Sequence, residues 1–98
     1  MNQRLNAILI HPDDNVVTVT QQLNAGDKVF YLKGGEVLSL TTSGAPIYHK
    51  IAAADIKKGQ PVRKYGEIMA VATEDIMQGA HVHTHNVISA ASEREDEN

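Results

Sequence analysis

The chain of 98 residues has no cysteine, which excludes disulfides, thiolate nucleophiles and cysteine-type zinc sites and fits a cytoplasmic location. It has no tryptophan, one phenylalanine and three tyrosines, so a core must be built from Val, Ile, Leu and Ala. No apolar run approaches the ~20 residues of a membrane-spanning helix, and Met1 to Asn6 shows no apolar signal-peptide region. Nine Lys and Arg face twelve Asp and Glu, a formal charge of −3. The basic residues are scattered, so neither a nucleic-acid nor a membrane partner is expected. Glycine-rich phosphate loops, nucleophile motifs and His-Glu-x-x-His are all missing. The length suits one small domain, placed at residues 1–91. Residues 92–98, Ser-Glu-Arg-Glu-Asp-Glu-Asn, lack any apolar side chain and are expected to be a disordered acidic tail.

What stands out against this background is His81-Val82-His83-Thr84-His85-Asn86, which holds three of the five histidines. In an extended strand alternate side chains share a face, so the imidazoles can point together. Neutral imidazole ligates zinc, iron, manganese or nickel and titrates near neutral pH. Three ligands from one straight strand rarely reach one ion, so a full site needs groups from elsewhere in the fold or from another chain. His83 and His85 are the candidate ligands or proton carriers, and His81 is read as part of a polar sheet face. His49-Lys50 and Arg63-Lys64-Tyr65-Gly66-Glu67 are two further groups that can meet an acidic ligand. Asp13, Asp14 and Asn15 read best as a helix cap.

The backbone pattern is mostly β. Residues 5–11 predict a first strand ended by Pro12. Asn15 to Leu23 predicts a short helix from the Asp13-Asp14 cap and the Asn24-Ala25-Gly26 stop, although the β-branched run Val16 to Thr20 suits a strand equally. Lys28 to Leu32 and Glu36 to Leu40 predict strands around a Gly34-Gly35 turn, and Thr41 to Pro46 a loop. A submotif occurs three times, as Leu23-x-x-Gly26-x-x-Val29, Ile56-x-x-Gly59-x-x-Val62 and Ile76-x-x-Gly79-x-x-Val82. It reads as a tight turn entering a strand, with Asp55 and Asp75 bonding turn amides.

Asp14-Asn15-Val16-Val17-Thr18, His49-Lys50-Ile51-Ala52, Lys64-Tyr65-Gly66-Glu67-Ile68 and Gly79 followed by His81 to Asn86 together resemble the SAF domain of the altronate and galactarate dehydratases. The same module occurs as the small subunit of sulfolactate sulfo-lyase. The resemblance runs over about residues 8 to 90. It implies a mostly β, SAF-type β-clip fold with one or two short helices. It further implies work beside a separate large, metal-dependent lyase subunit that removes water, or sulfite, from an acidic hydroxy compound. Carried onto this chain, it makes His83 and His85 catalytic or metal-ligating, and His49, Lys50, Lys64, Tyr65 and Asn86 substrate-binding. The divalent metal, Fe2+ or Mn2+, would be held mainly by the large subunit. The implied roles are the small subunit of a sugar-acid hydro-lyase acting on altronate or galactarate, the small subunit of (2R)-sulfolactate sulfo-lyase, or a non-catalytic assembly module; a homo-oligomer is also open. Pro12 and Met69-Ala70 depart from the family's pattern and leave the substrate open.

Overall fold

The computed structural model describes residues 5–90, and the tail at 92–98 lies outside them. Among the described residues nine strands form three antiparallel sheets. β1 (Ala7–Ile8), β2 (Val16–Val19), β5 (Lys50–Ala52) and β8 (His81–Val82) make a four-stranded sheet in the order β1-β2-β5-β8. β3 (Lys28–Lys33) and β4 (Glu36–Thr41) form a hairpin, and β6 (Pro61–Lys64), β7 (Glu67–Ala72) and β9 (Val87–Ser89) form a three-stranded sheet.

The expected one or two short helices are corrected: the described residues contain no helical element. The segment predicted as a helix from Asn15 is strand β2, and the reason is packing. Val17 and Val19 join Ile51, Val29, Tyr31 and Leu40 in one core, whereas Val16 joins Ala52, Ile56, Val62 and Val82 in another. Alternate side chains of β2 therefore fill opposite cores. A strand buried on both faces reads as a continuous apolar run, and the β-branched Val16-Val17-Thr18-Val19 fits that place better than a helical face. Asp14 caps nothing helical, because its carboxylate is spent on the β6–β7 turn described below. The first strand is shorter than the residues 5–11 expected, covering only Ala7–Ile8.

The recurrent submotif is a turn, as expected, and it has four copies. Asn24 to Asp27, Lys57 to Gln60 and Met77 to Ala80 each close with a hydrogen bond from the fourth amide to the first carbonyl, at 2.9–3.0 Å. Gly26, Gly59 and Gly79 fill the third position with positive φ, as a type II turn requires. The fourth copy, Pro46 to His49, closes in the same way at 3.1 Å but carries Tyr48 at the third position, with φ 67°. Bridges Leu23↔Ala45 and Ile56↔Ile76 open the turns in pairs. Asp55 and Asp75 do bond turn amides, each that of the other's turn: Gln78 N donates to Asp55 and Lys58 N to Asp75, both at 2.8 Å. Asn6 bonds the backbone of Lys28 and Phe30 just as Asn15 bonds that of Pro61 and Arg63. The hairpins Lys33-Gly34-Gly35-Glu36 and Lys64-Tyr65-Gly66-Glu67 correspond too, with Lys33 facing Glu36 and Lys64 facing Glu67. The two cores are thus built by two copies of one plan, laid on either face of a shared sheet.

Candidate functional site

The shared sheet brings the separated histidines together. β5 pairs antiparallel with β8, with Lys50 opposite Val82 and Ile51 opposite His81. Continuing that register one residue sets His49 across from His83, on the face that also carries His81. His49 Nδ1 and His81 Nε2 share a hydrogen bond of 2.9 Å. The His81 and His83 rings stack at 5.4 Å, and the His49 and His83 centroids lie 4.9 Å apart. One ring nitrogen from each of His49, His81 and His83 falls within 4.8 Å of the others. His85 stands beside this group, 5.6 Å from His81 between ring centroids, and is exposed.

The turn after β8 is held by Asn86, which is buried. Its Oδ1 accepts from His83 N at 3.0 Å and its Nδ2 donates to His81 O at 2.8 Å. Both ends of its amide are thus engaged with the backbone that carries the histidines. Gly79, entering β8, passes so close to the Thr41 carbonyl that a Cβ would overlap it. The Thr42 hydroxyl donates to Gly79 O at 2.7 Å, which fixes the approach of the histidine strand to the β3–β4 hairpin.

The donor set suits a metal ion. Ligand nitrogens ~2.0–2.1 Å from one ion stand roughly 2.9–3.3 Å from each other, depending on the bond angle, so the 2.9 Å approach of His49 and His81 is already of coordinating size. Burial, and then the neighbouring His49, His83, His85 and Lys50, push the His81 pKa below the ordinary histidine value, which favours the neutral ring that a metal ligand must be. Three imidazoles suit zinc, iron, copper or nickel and leave coordination positions open.

A second group lies at the same end of β5. Lys50 alternates with His49 along the chain, so the two leave the strand on opposite sides. Burial and then the charge of Lys64 lower the Lys50 pKa. Thr18 pairs with Lys50 across β2 and β5, and its hydroxyl is buried with no hydrogen-bond partner. Among the described residues no carboxylate lies within ion-pair distance of Lys50, Lys64 or Arg63. Lys64 stands 5.0 Å over the Tyr65 ring, and Tyr65 is exposed, with φ 59°.

Sequence reasoning passed over what anchors this second group. Buried Asp14 accepts from Gly66 N at 2.8 Å and from Tyr65 N and His11 N at 3.1 Å each. The His11 ring lies where a Cβ on residue 66 would fall, and φ there is 75°, so any other residue would displace that ring and strain the backbone. His11 Nδ1 accepts from Asp13 N at 3.1 Å. The pairing of His11-x-x-Asp14 with the Tyr65-Gly66 turn was the available signal, and it spans more than fifty residues.

Both non-glycine residues with positive φ among those described are tyrosines, Tyr48 and Tyr65. Each adjoins one of the two groups, and each fills a place where the repeated counterpart is glycine, Gly79 and Gly34 respectively. Such a backbone costs a non-glycine residue of order 1–3 kcal/mol and concentrates at functional sites.

The sequence profile of the altronate/galactarate dehydratase SAF domain matches residues 5–90. The chain is 35% identical over 80 residues to altronate dehydratase of Bacillus subtilis (strain 168), covering 81% of this chain and 15% of that protein. It is 39% identical over 79 residues to altronate dehydratase of Escherichia coli (strain K12), with the same coverage. To the (2R)-sulfolactate sulfo-lyase subunit alpha of Chromohalobacter salexigens it is 31% identical over 84 residues, covering 81% of this chain and 89% of that subunit. The chain therefore spans only 15% of the length of the two dehydratases. Among the described residues no helix is long and apolar enough to cross a membrane.

Proposed function

The chain belongs to the altronate/galactarate dehydratase SAF domain family, and from that premise we propose that it is the small subunit of a cytoplasmic lyase acting on a sugar acid such as altronate or galactarate, completing the pocket of a separate large catalytic subunit. The observation that carries this reading is the meeting of His49, His81 and His83 at one sheet end, with donor nitrogens within 4.8 Å of one another. Three imidazoles on a small open surface cannot by themselves exclude water or complete a metal shell, so the reading needs a second chain. The 31% identity to a protein itself named a subunit supports this arrangement.

In this reading His49, His81 and His83 would hold a divalent ion together with ligands from the large subunit, iron if the imidazoles dominate the shell and manganese if the large subunit supplies carboxylates. Such an ion polarises oxygen and stabilises charge developing beside a carboxylate. Lys50 and Lys64, which meet no carboxylate among the described residues, bind the anionic end of the substrate, with Tyr65 at their edge and the Thr18 hydroxyl between strands. Asn86 acts on the substrate indirectly, by setting the backbone of His81 and His83. His85, exposed beside the ligand group, gives its proton to the departing hydroxyl, which leaves as water. A base of the large subunit takes the proton from the adjacent carbon.

The alignment over 89% of a sulfo-lyase subunit favours a second reading, in which the same pocket releases sulfite from sulfolactate. The test is turnover by the co-purified two-chain enzyme on altronate, galactarate and sulfolactate, with added Mn2+ or Fe2+. His83→Ala is expected to cut kcat at least a hundredfold with the complex intact. Unchanged turnover by this variant would remove the site assignment, and the preferred substrate separates the two lyase readings.

A further inference from the structure

We propose that Tyr48 is the anchor by which the large lyase subunit closes over the histidine group, an inference that rests on the subunit reading above. Four equivalent turns occur in the chain, and three carry glycine at the position Tyr48 fills. Nothing in the fold asks for a ring there. The backbone of Tyr48 is held by its own bond, Tyr48 N to Val19 O at 2.8 Å, and by His49 N to Pro46 O at 3.1 Å. Glycine would keep both bonds without strain. The residue is 70% exposed and belongs to neither core. A residue that strains its backbone and joins neither core among the described residues is placed to meet something outside them.

Position says what that is. Tyr48 is one peptide bond from His49, whose ring lies 4.9 Å from that of His83. A polypeptide that covers His49 comes within reach of the exposed turn that carries Tyr48. The preceding Ile47 is 44% exposed and Pro46 is exposed as well, so the tip Pro46-Ile47-Tyr48 is apolar with one phenol. That chemistry suits the desolvated centre of a protein interface, where tyrosine is enriched, better than the binding of a small, strongly hydrated acid. Tyr65 differs: it sits beside Lys64, within the group that receives the anion.

The experiment compares wild type, Tyr48→Gly and Tyr48→Phe, each as the full chain titrated with the large lyase subunit isolated from the wild-type complex. Glycine should leave the melting temperature of the free chain unchanged or raised, which shows that the fold is intact. It should weaken association at least tenfold, while KM for the acid substrate at saturating large subunit stays within twofold. Phenylalanine should retain association within about threefold. Association of Tyr48→Gly equal to wild type overturns the proposal and leaves the subunit reading standing. So does unchanged association with a raised KM, which would give the ring to the substrate. Failure of the wild-type chain to associate with any large lyase subunit removes the subunit reading and this inference together.

Discussion

At His81, burial first and then the neighbouring His49, His83, His85 and Lys50 oppose protonation in the folded chain. The consequence for stability has a definite sign. Above the unfolded histidine value of ~6.5 the ring is neutral in both states and pH does not discriminate between them. As pH falls below ~6.5 the unfolded chain binds the proton first, so the native state loses stability until the lowered native pKa is passed. Thermal unfolding followed from pH 8 to pH 5 should therefore show a steeper loss for wild type than for His81→Gln; parallel curves would mean that this ring carries no such penalty. At the same scale, three of the four histidines in this neighbourhood were legible from the alternation at 81, 83 and 85. The contact between His49 and His81 was not, because it joins residues 32 apart through a strand pairing that local pattern does not specify. The same limit hid the meeting of His81 with the His49 and His83 rings.

Among the elements, the β6–β7 turn depends most on a single distant side chain. Asp14 accepts three backbone amides, two of them from Tyr65 and Gly66, and it is buried. Asp14→Ala leaves those donors without their acceptor and should cost about 2–4 kcal/mol, measured by urea unfolding. Asp14→Asn keeps one carbonyl oxygen and should cost less. Equal loss in both variants would indicate that charge, not acceptor geometry, holds the turn. This carboxylate was expected to cap a helix over Asn15 to Leu23, and that expectation failed for an identifiable reason. Asp13-Asp14 followed by Val16, Val19 and Leu23 satisfies the helical spacing, but the same valines satisfy a strand that has a core on each side, and tertiary burial decided the matter. The repeat was legible in three copies because glycine marked them. The fourth, Ala45-x-x-Tyr48-x-x-Ile51, was hidden by its tyrosine, and that exception proved more informative than the three regular copies.

For the molecule as a whole, the two cores are not independent, since both are closed by the same strands. Val17 and Ile51 belong to one core, and their chain neighbours Val16 and Ala52 to the other. Removing packing from either core must loosen β2 and β5, and with them the opposite face. Ile51 and Ile56 are fully buried, one in each core, and truncating either to alanine should cost about 2–5 kcal/mol. That is a large part of the ~5–15 kcal/mol that stabilises a small domain. If the halves are coupled through the shared sheet, Ile51→Ala should speed hydrogen exchange at the amides of both the β3–β4 and β6–β7 hairpins, and Ile56→Ala should do the same. Each variant should still unfold in a single transition. Faster exchange confined to the hairpin of the mutated core would mean that the two copies of the plan fold separately. The histidine group would then be carried by a junction able to open, because His49 enters the site from the turn leading into β5 and His81 from β8, and only the intact shared sheet holds those strands in register.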